Sequence, residues 1–363
     1  MSLMNQASLL ELYNNKLKKS ISNIDSHAIQ ILRRLKDSGF QAYLVGGGVR
    51  DLLVDLKPKD FDIATNASPN EVKKKVSHSF IIGRRFKLVH AKRGEHIYEI
   101  ATFRRSATFE ELQTTEEDDR KHVEENFFGN IEEDSFRRDF TINSLFYDPI
   151  DFKIVDHCKG LEDIHSRTMR MIGDPKARLI EDPIRILRAI RLSQKLGFTI
   201  ETNLRTEIVN SKMELVRAVL PRRREEWLKF FRLKNVEPAL MELYDLNVFE
   251  ILIPTFHKLF SDNEKRNEFL SLISLFNSYD VNYADPMELF SVILVAYLAA
   301  NNPKGFNINN FFENEEFLIF CRDELGVFKA EVAVFFQAMQ FIGPLQRKEI
   351  YLKKGERRQR SLV

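Results

Sequence analysis

Tyr43-Leu-Val-Gly-Gly-Gly-Val-Arg-Asp51, followed by Lys59-Asp-Phe-Asp-Ile-Ala-Thr65, decides how the rest of the chain is read. An apolar strand (Tyr43, Leu44, Val45) runs into three glycines, and a turn with Pro58 leads to a second short strand carrying Asp60 and Asp62. Side chains alternate along a strand, so these two carboxylates point the same way. So placed they repel each other unless a cation lies between them. Mg²⁺, which takes oxygen ligands and completes its shell with phosphate and water, is the natural occupant. The glycines let backbone N–H groups approach a triphosphate that a Cβ would hold off, and Arg50 is placed to neutralise it. Each piece alone also reads as a loop or a solvated turn. Their succession on consecutive strands favours a phosphate cradle beside a metal clamp. Two commoner phosphate motifs fail: Gly46-x-Gly48-x-x-Asp51 lacks the last glycine of the dinucleotide fingerprint, and no Gly-Lys-Ser/Thr follows for a P-loop.

The 363 residues are enough for two or three domains, and a hydrophobic content of 44% excludes a disordered chain. A net charge of +2 conceals 30% charged residues, so local clusters must carry any nucleic-acid argument. Phenylalanine is frequent, with 30 residues, and Trp227 is the only tryptophan. Cys158 and Cys321 make neither a disulfide framework nor a zinc site by themselves, and fit a reducing cytoplasm. No apolar run reaches membrane-spanning length, so no membrane association is expected. Met1-Ser-Leu ahead of Met4 reads as a vector remnant.

Residues 5–22 are polar with sparse apolar periodicity and are expected to form a loosely docked arm. A helix capped by Asp25 or Ser26 should end at Gly39, and Ser68-Pro69 reads as a second helix entry. Strand pieces are expected at 80–83, 85–90 and 96–103. Residues 105–126, crowded with charges, read as a solvated surface loop or a lid. After residue 174 the chain turns helical and remains so.

Three charged stretches stand out. In Arg137-Arg-Asp-Phe-Thr-Ile-Asn143, arginine and aspartate on an otherwise apolar segment are held for a ligand or for an interdomain salt bridge. In Glu181-Asp-Pro-Ile-Arg-Ile-Leu-Arg-Ala-Ile-Arg191, Asp182, Arg185 and Arg188 share one helix side, and Arg191 continues the stripe. An acceptor and a fork of donors in fixed geometry suit a base edge, although i, i+3 ion pairs would give the same pattern. The third stretch, Arg222 to Arg224, opens a helix and is placed to meet a phosphate backbone or solvent. A basic segment at 347–360 suits RNA or a solvated terminus.

Taken together and in order, these motifs resemble the class II nucleotidyltransferases, the bacterial poly(A) polymerases and tRNA CCA-adding enzymes, over roughly residues 25–250. The resemblance implies an α+β fold: a small nucleotidyltransferase head with a mixed sheet at 25–150, a mostly helical neck at 151–235, and a helical body and tail at 236–363. It implies Asp60 and Asp62 as metal ligands, with Asp139 counted in the catalytic set. Gly47, Arg50 and Arg138 would hold sugar and phosphates, and Asp182 and Arg185 would face the incoming base with Arg188 and Arg191 beside them. Ile81-Ile-Gly-Arg-Arg-Phe-Lys-Leu-Val-His90 and Phe127-Phe-Gly-Asn-Ile-Glu-Glu-Asp134 look closer to the polymerase branch. That branch usually carries a longer basic C-terminal region. The expected reaction adds AMP from ATP to RNA 3′ ends with Mg²⁺. The alternatives are CCA addition to tRNA and, more distantly, a silent RNA-binding module; a metal-dependent phosphohydrolase finds no His-Asp cluster to support it.

Overall fold

The computed structural model describes residues 5–83, 87–106, 127–276, 279 and 281–346, with side chains up to residue 340. The expectations for residues 107–126, for 84–86 within the strand piece at 85–90, for the first three residues and for the basic segment 347–360 lie outside these residues. The chain divides into two compact units, residues 1–178 with 196–205, and residues 179–195 with 206–363. This division is coarser than the expected head, neck and body.

The first unit is built on a seven-stranded mixed sheet in the order β3-β4-β5-β2-β1-β6-β7. Its strands are β1 (Ala42–Val45), β2 (Asp62–Thr65), β3 (Ser79–Ile82), β4 (Leu88–Arg93), β5 (His96–Thr102), β6 (Phe146–Asp148) and β7 (Lys153–Val155). β2 runs parallel to β5; every other pairing is antiparallel. The chain opens with α1 (Gln6–Lys19) and α2 (Ser26–Asp37); α3 (Gly47–Leu53) joins β1 to β2, and α4 (Pro69–Lys75) joins β2 to β3. α5 (Ile131–Arg137) precedes β6.

Caps fall where side-chain chemistry dictates. Asp25 accepts from the His27 N–H at the start of α2, and Ser68 with Glu71 forms a capping box ahead of Pro69. Helices α2, α3 and α4 pack against strands of the sheet. Val45, Ala64, Phe103 and Phe146 form a buried cluster that Tyr43, Ile131 and Val155 pack against. Ala64 shares its strand face with Asp62, so this cluster supports the carboxylate-bearing face of β2.

The N-terminal arm is not loosely docked. Leu9, Tyr13 and Leu17 recur every four residues on one stripe of α1, and all three are buried. Burial of a large apolar side chain contributes about 1.5–3 kcal/mol, enough to seat an otherwise polar helix. Asn14 also accepts a 2.9 Å hydrogen bond from the Ile154 N–H on β7.

The second unit is helical. Its core explains where much of the phenylalanine goes: rings of Phe249, Phe256, Phe260, Phe269 and Phe320 meet in tilted and edge-to-face pairs, with Phe249–Phe260 centroids at 5.1 Å and Phe256–Phe320 at 5.2 Å. The expected helical neck also includes two short parallel strands, Thr168–Met169 and Thr199–Ile200, which belong to the first unit.

Candidate active site

The turn from β1 into α3 depends on one glycine. Gly46 sits at φ +72° and ψ −134°, backbone space that a side chain rarely adopts. A Cβ there would stand 3.6 Å from Arg138 Nη1 and 3.9 Å from Asp62 Oδ2. Gly48 serves a close approach instead. A Cβ on it would fall 2.9 Å from the Asp60 carbonyl oxygen, so its absence lets the Asp60 segment lie against α3. Gly47, half-buried between them, begins the helix.

β2 begins at Asp62, so Asp60 lies on the segment leading into it rather than on the strand. Phe61 between them is buried, Asp60 is exposed and Asp62 is half-buried. Burial pushes the Asp62 carboxyl up to about 6; the charges of Asp60 and then Glu99 push the same way, while Arg138 opposes them. Glu99 takes part because β2 and β5 run parallel with Ile63 opposite Ile100, which sets Asp62 alongside Glu99. Glu99 also stands 3.5 Å from His90 Nε2 on β4.

Arg138 follows α5. Its Nη2 donates to Asp134 Oδ2 at 2.8 Å, its guanidinium lies 5.0 Å over the Phe146 ring, and its buried Nε makes no hydrogen bond among the described residues. The turn that carries it is tied down by Arg178, whose Nη2 donates to the carbonyls of Arg137 and Arg138 at 2.7 Å each.

Arg50 is placed differently from the expected phosphate ligand. It is 5% exposed and directs its fork inward: Nε and Nη2 donate to Asp51 Oδ1 at 2.9 and 2.6 Å, and Nη1 donates to Asn143 Oδ1 at 2.6 Å. Asn143 in turn donates from Nδ2 to Asp139 Oδ1 at 3.0 Å. A hydrogen-bonded chain Asp51–Arg50–Asn143–Asp139 therefore connects the glycine motif to the Arg-Arg-Asp motif. Asn143 is its pivot, and sequence reading gave it no role.

A divalent cation fits this surface on its own chemistry. Burial and then the charges of Asp60 and Glu99 raise the proton affinity of Asp62 with only Arg138 opposing, which is the deficit a cation removes. Among the described residues no three His, Cys, Asp or Glu side chains converge as a ready-made cage. Magnesium does not require one, since it takes one or two carboxylates and draws the rest of its shell from phosphate and water. Asp60 and Asp62 are the residues that would hold it.

In the second unit, Asp182 lies just before the helix Ile184–Leu196, not on it. Both its oxygens accept from Arg222, at 2.9 and 2.8 Å. Arg185 donates to Glu181 at 2.7 Å, one turn back, in place of the expected i, i+3 pairing with Asp182. Arg191 donates through Nε to the buried Glu226 at 2.8 Å; Arg188 is 4.0 Å and Lys229 3.0 Å from the same carboxylate. Burial alone would raise the Glu226 carboxyl, but Arg191 and Lys229 overrule it and hold it below the ordinary range.

The arginine run on the helix Leu220–Phe231 is not a phosphate-facing stripe. Arg222 holds Asp182, burial depresses the proton affinity of Arg223, and Arg224 is buried. Arg224 forks onto Glu331 at 2.9 and 2.7 Å, donates to the Gly326 carbonyl at 2.7 Å, and lies over the rings of Phe290 and Phe328. Successive helix residues point about 100° apart, so three adjacent arginines cannot share one partner.

Known proteins match these elements. The family described as the Poly A polymerase head domain covers residues 42–170, and the one described as the probable RNA and SrmB-binding site of polymerase A covers 197–260. The chain is 41% identical over 248 residues to poly(A) polymerase I of Salmonella typhi, 67% of this chain and 53% of that one. It is 33% identical over 313 residues to poly(A) polymerase I of Haemophilus influenzae, covering 82% and 69%. A CCA-adding enzyme of Lactobacillus helveticus is 39% identical over 202 residues, covering 56% and 49%. The chain thus spans about half the length of the first curated relatives it matches. In fold it is similar to the Thermotoga maritima CCA-adding enzyme complexed with tRNA, at a TM-score of 0.63 and 22% identity over 96% of this chain and 76% of that one. The chain belongs to the nucleotidyltransferase family of bacterial poly(A) polymerases and CCA-adding enzymes.

Proposed function

We propose that this protein adds AMP from ATP to RNA 3′ ends as a template-independent poly(A) polymerase. The observation that carries this reading is the Asp60/Asp62 pair on a glycine-supported turn, with Asp62 raised to about 6 by burial and neighbouring acid. In the reaction the RNA 3′-hydroxyl attacks the α-phosphate of ATP in line and pyrophosphate leaves. Mg²⁺ held by Asp60 and Asp62 would supply charge compensation for the triphosphate and a more acidic hydroxyl. Arg138, already beside Asp62, places positive charge against the phosphates. Gly47 lets phosphate come close to the backbone. Arg50 orients Asn143, and through it Asp139, as a positioning residue. Asp182 and Arg185 would meet the base edge, with Arg188 and Arg191 behind them. Positioning and electrostatics carry phosphoryl transfer, which asks little covalent chemistry of the protein.

CCA addition to tRNA is the second reading, favoured by the 39% identity to a CCA-adding enzyme. Among the described residues no helix is long and apolar enough to cross a membrane, and both cysteines are free thiols; a cytoplasmic location is proposed with the function. Primer extension with Mg²⁺ and single nucleoside triphosphates, on an unstructured RNA and on a tRNA lacking CCA, tests the choice. Long ladders from ATP alone on the unstructured RNA are expected. Two C and one A added to the tRNA only would replace this reading with CCA addition, and no addition to either would refute both.

A further inference from the structure

Strands β3, β4 and β5 carry a second feature on the sheet face that bears Asp62. Residues opposite one another on neighbouring strands share a face. The register sets Phe80 opposite His90 and His90 opposite Glu99, with Asp62 next in the row on β2. One rung of the sheet therefore reads Phe80, His90, Glu99, Asp62 from its edge inward. The Phe80 and His90 rings lie 6.2 Å apart between centroids, and His90 Nε2 stands 3.5 Å from Glu99 Oε1. Flanking rungs on the same face set Ile82 opposite Leu88 and Lys92 opposite Ile97. The reverse face of these strands holds Val89, Ala91, Tyr98 and Ile100, all buried. The forward face is open: Phe80 is 43%, Ile82 41% and Ile97 51% exposed. Large apolar side chains gathered on an open sheet face mark a surface that something covers.

Continuity with the carboxylates identifies the occupant. Phe80 is three strands from Asp62, about 14 Å at the usual strand spacing. An RNA strand whose 3′-hydroxyl lies at Asp60 and Asp62, and whose preceding nucleotides run toward the sheet edge, passes over this patch. Flat rings stack bases whatever their identity, and the aliphatic side chains beside them widen the apolar floor. Lys92, exposed next to Ile97, offers a charge to the phosphates. Resting on the polymerase reading above, we propose that Phe80 and His90 form a stacking platform for the bases of the RNA strand just upstream of its reacting 3′ end. Phe80, the more open ring, is its principal positioning residue. The platform holds the strand and does not choose the base.

Fluorescence anisotropy of a 5′-labelled oligoadenylate, measured on the whole chain without divalent cations, tests this in the parent, Phe80→Ala and Phe80→Trp. Phe80→Ala is expected to weaken binding about tenfold, within the range that one stacked base contributes, and Phe80→Trp to keep or tighten it. With Mg²⁺ the KM for RNA should rise by the same factor in Phe80→Ala while the KM for ATP stays at the parent value. Ile97→Ser, at the other margin of the patch, repeats the test at a still more exposed position. An abasic nucleotide stepped upstream from the 3′ end should, at one position, weaken the parent as much as Phe80→Ala does and leave that variant no weaker. Losses that multiply at every position would mean that the ring meets no base, and overturn the proposal. Equal affinity in the parent, Phe80→Ala and Ile97→Ser also overturns it. So does a dimer in the parent that Phe80→Ala abolishes with RNA affinity unchanged, since the patch would then join two copies of the chain. Base-dependent binding without any extension by the parent would overturn the polymerase reading and support the platform. Extension with an unchanged KM for RNA in Phe80→Ala would overturn the platform alone.

Discussion

The two charged regions are built on opposite electrostatic plans. On the head sheet, burial and the charges of Asp60 and Glu99 raise proton affinity at Asp62 with only Arg138 to oppose them. In the helical unit Asp182, Arg191 and Arg224 each already have an ionic partner, on Arg222, Glu226 and Glu331. The first region gains when a cation arrives; the second is settled before any ligand does. A region of unbalanced charge is suited to binding, and a region of balanced charge to holding a shape. Removing a charge should therefore cost activity in one and stability in the other.

The largest effect belongs to the unbalanced region. Asp60→Ala or Asp62→Ala is expected to lower nucleotide incorporation by roughly 10³-fold or more, the several kcal/mol that metal-held charge supplies, while the circular-dichroism melt stays near that of the parent. Incorporation within tenfold of the parent would end the metal assignment. In the balanced region, Glu226→Ala removes the buried carboxylate that Arg191 and Lys229 share and should cost about 3–5 kcal/mol in urea unfolding. Arg222→Ala, at an exposed pair, should cost under about 1 kcal/mol by the same measurement. Equal costs for the two would erase the distinction between buried and exposed halves of that network.

A smaller effect has the opposite sign. The Asp62 carboxyl titrates near 3.8 when unfolded and about 6 when folded. Below the lower value both states are protonated; as pH rises between the two, the folded state keeps a proton that the unfolded state releases, and stability falls. Asp62→Asn should remove that fall. Without divalent cations the variant is expected to be about 1–2 kcal/mol more stable than the parent at pH 7, allowing for partial solvent screening, and no more stable at pH 3.5. A destabilised variant at pH 7 would show that Asp62 is not strained in the metal-free protein.

What the sequence made legible follows chain distance. Gly46, Gly48, Asp60 and Asp62 lie within one short stretch, so the strand running into the glycines and the neighbouring pair of carboxylates could be read, whereas the helix α3 that starts inside the glycines could not. The caps at Asp25 and Ser68 were legible for the same reason. The partners that settle the charges are far apart along the chain: Asp182 and Arg222 by 40 residues, Arg191 and Glu226 by 35, Arg50 and Asn143 by 93. Nothing local in the Arg222–Arg224 run distinguishes a phosphate-facing stripe from a run in which Arg222 and Arg224 hold separate internal partners. The docking of α1 was missed because its apolar stripe is only three residues wide, and its value depends on the surface it meets.

The Arg50–Asn143 contact sets a timetable. Arg50 has a buried place in the finished head, and one of the two partners of its guanidinium is encoded 93 residues later. At a synthesis rate of 5–20 residues per second, that partner follows by about 5–20 s. β1 waits equally for β6, which lies beyond Asn143. The glycine turn is thus among the first parts of the head to be made and among the last to be closed, so the nascent chain must carry this motif open for that interval.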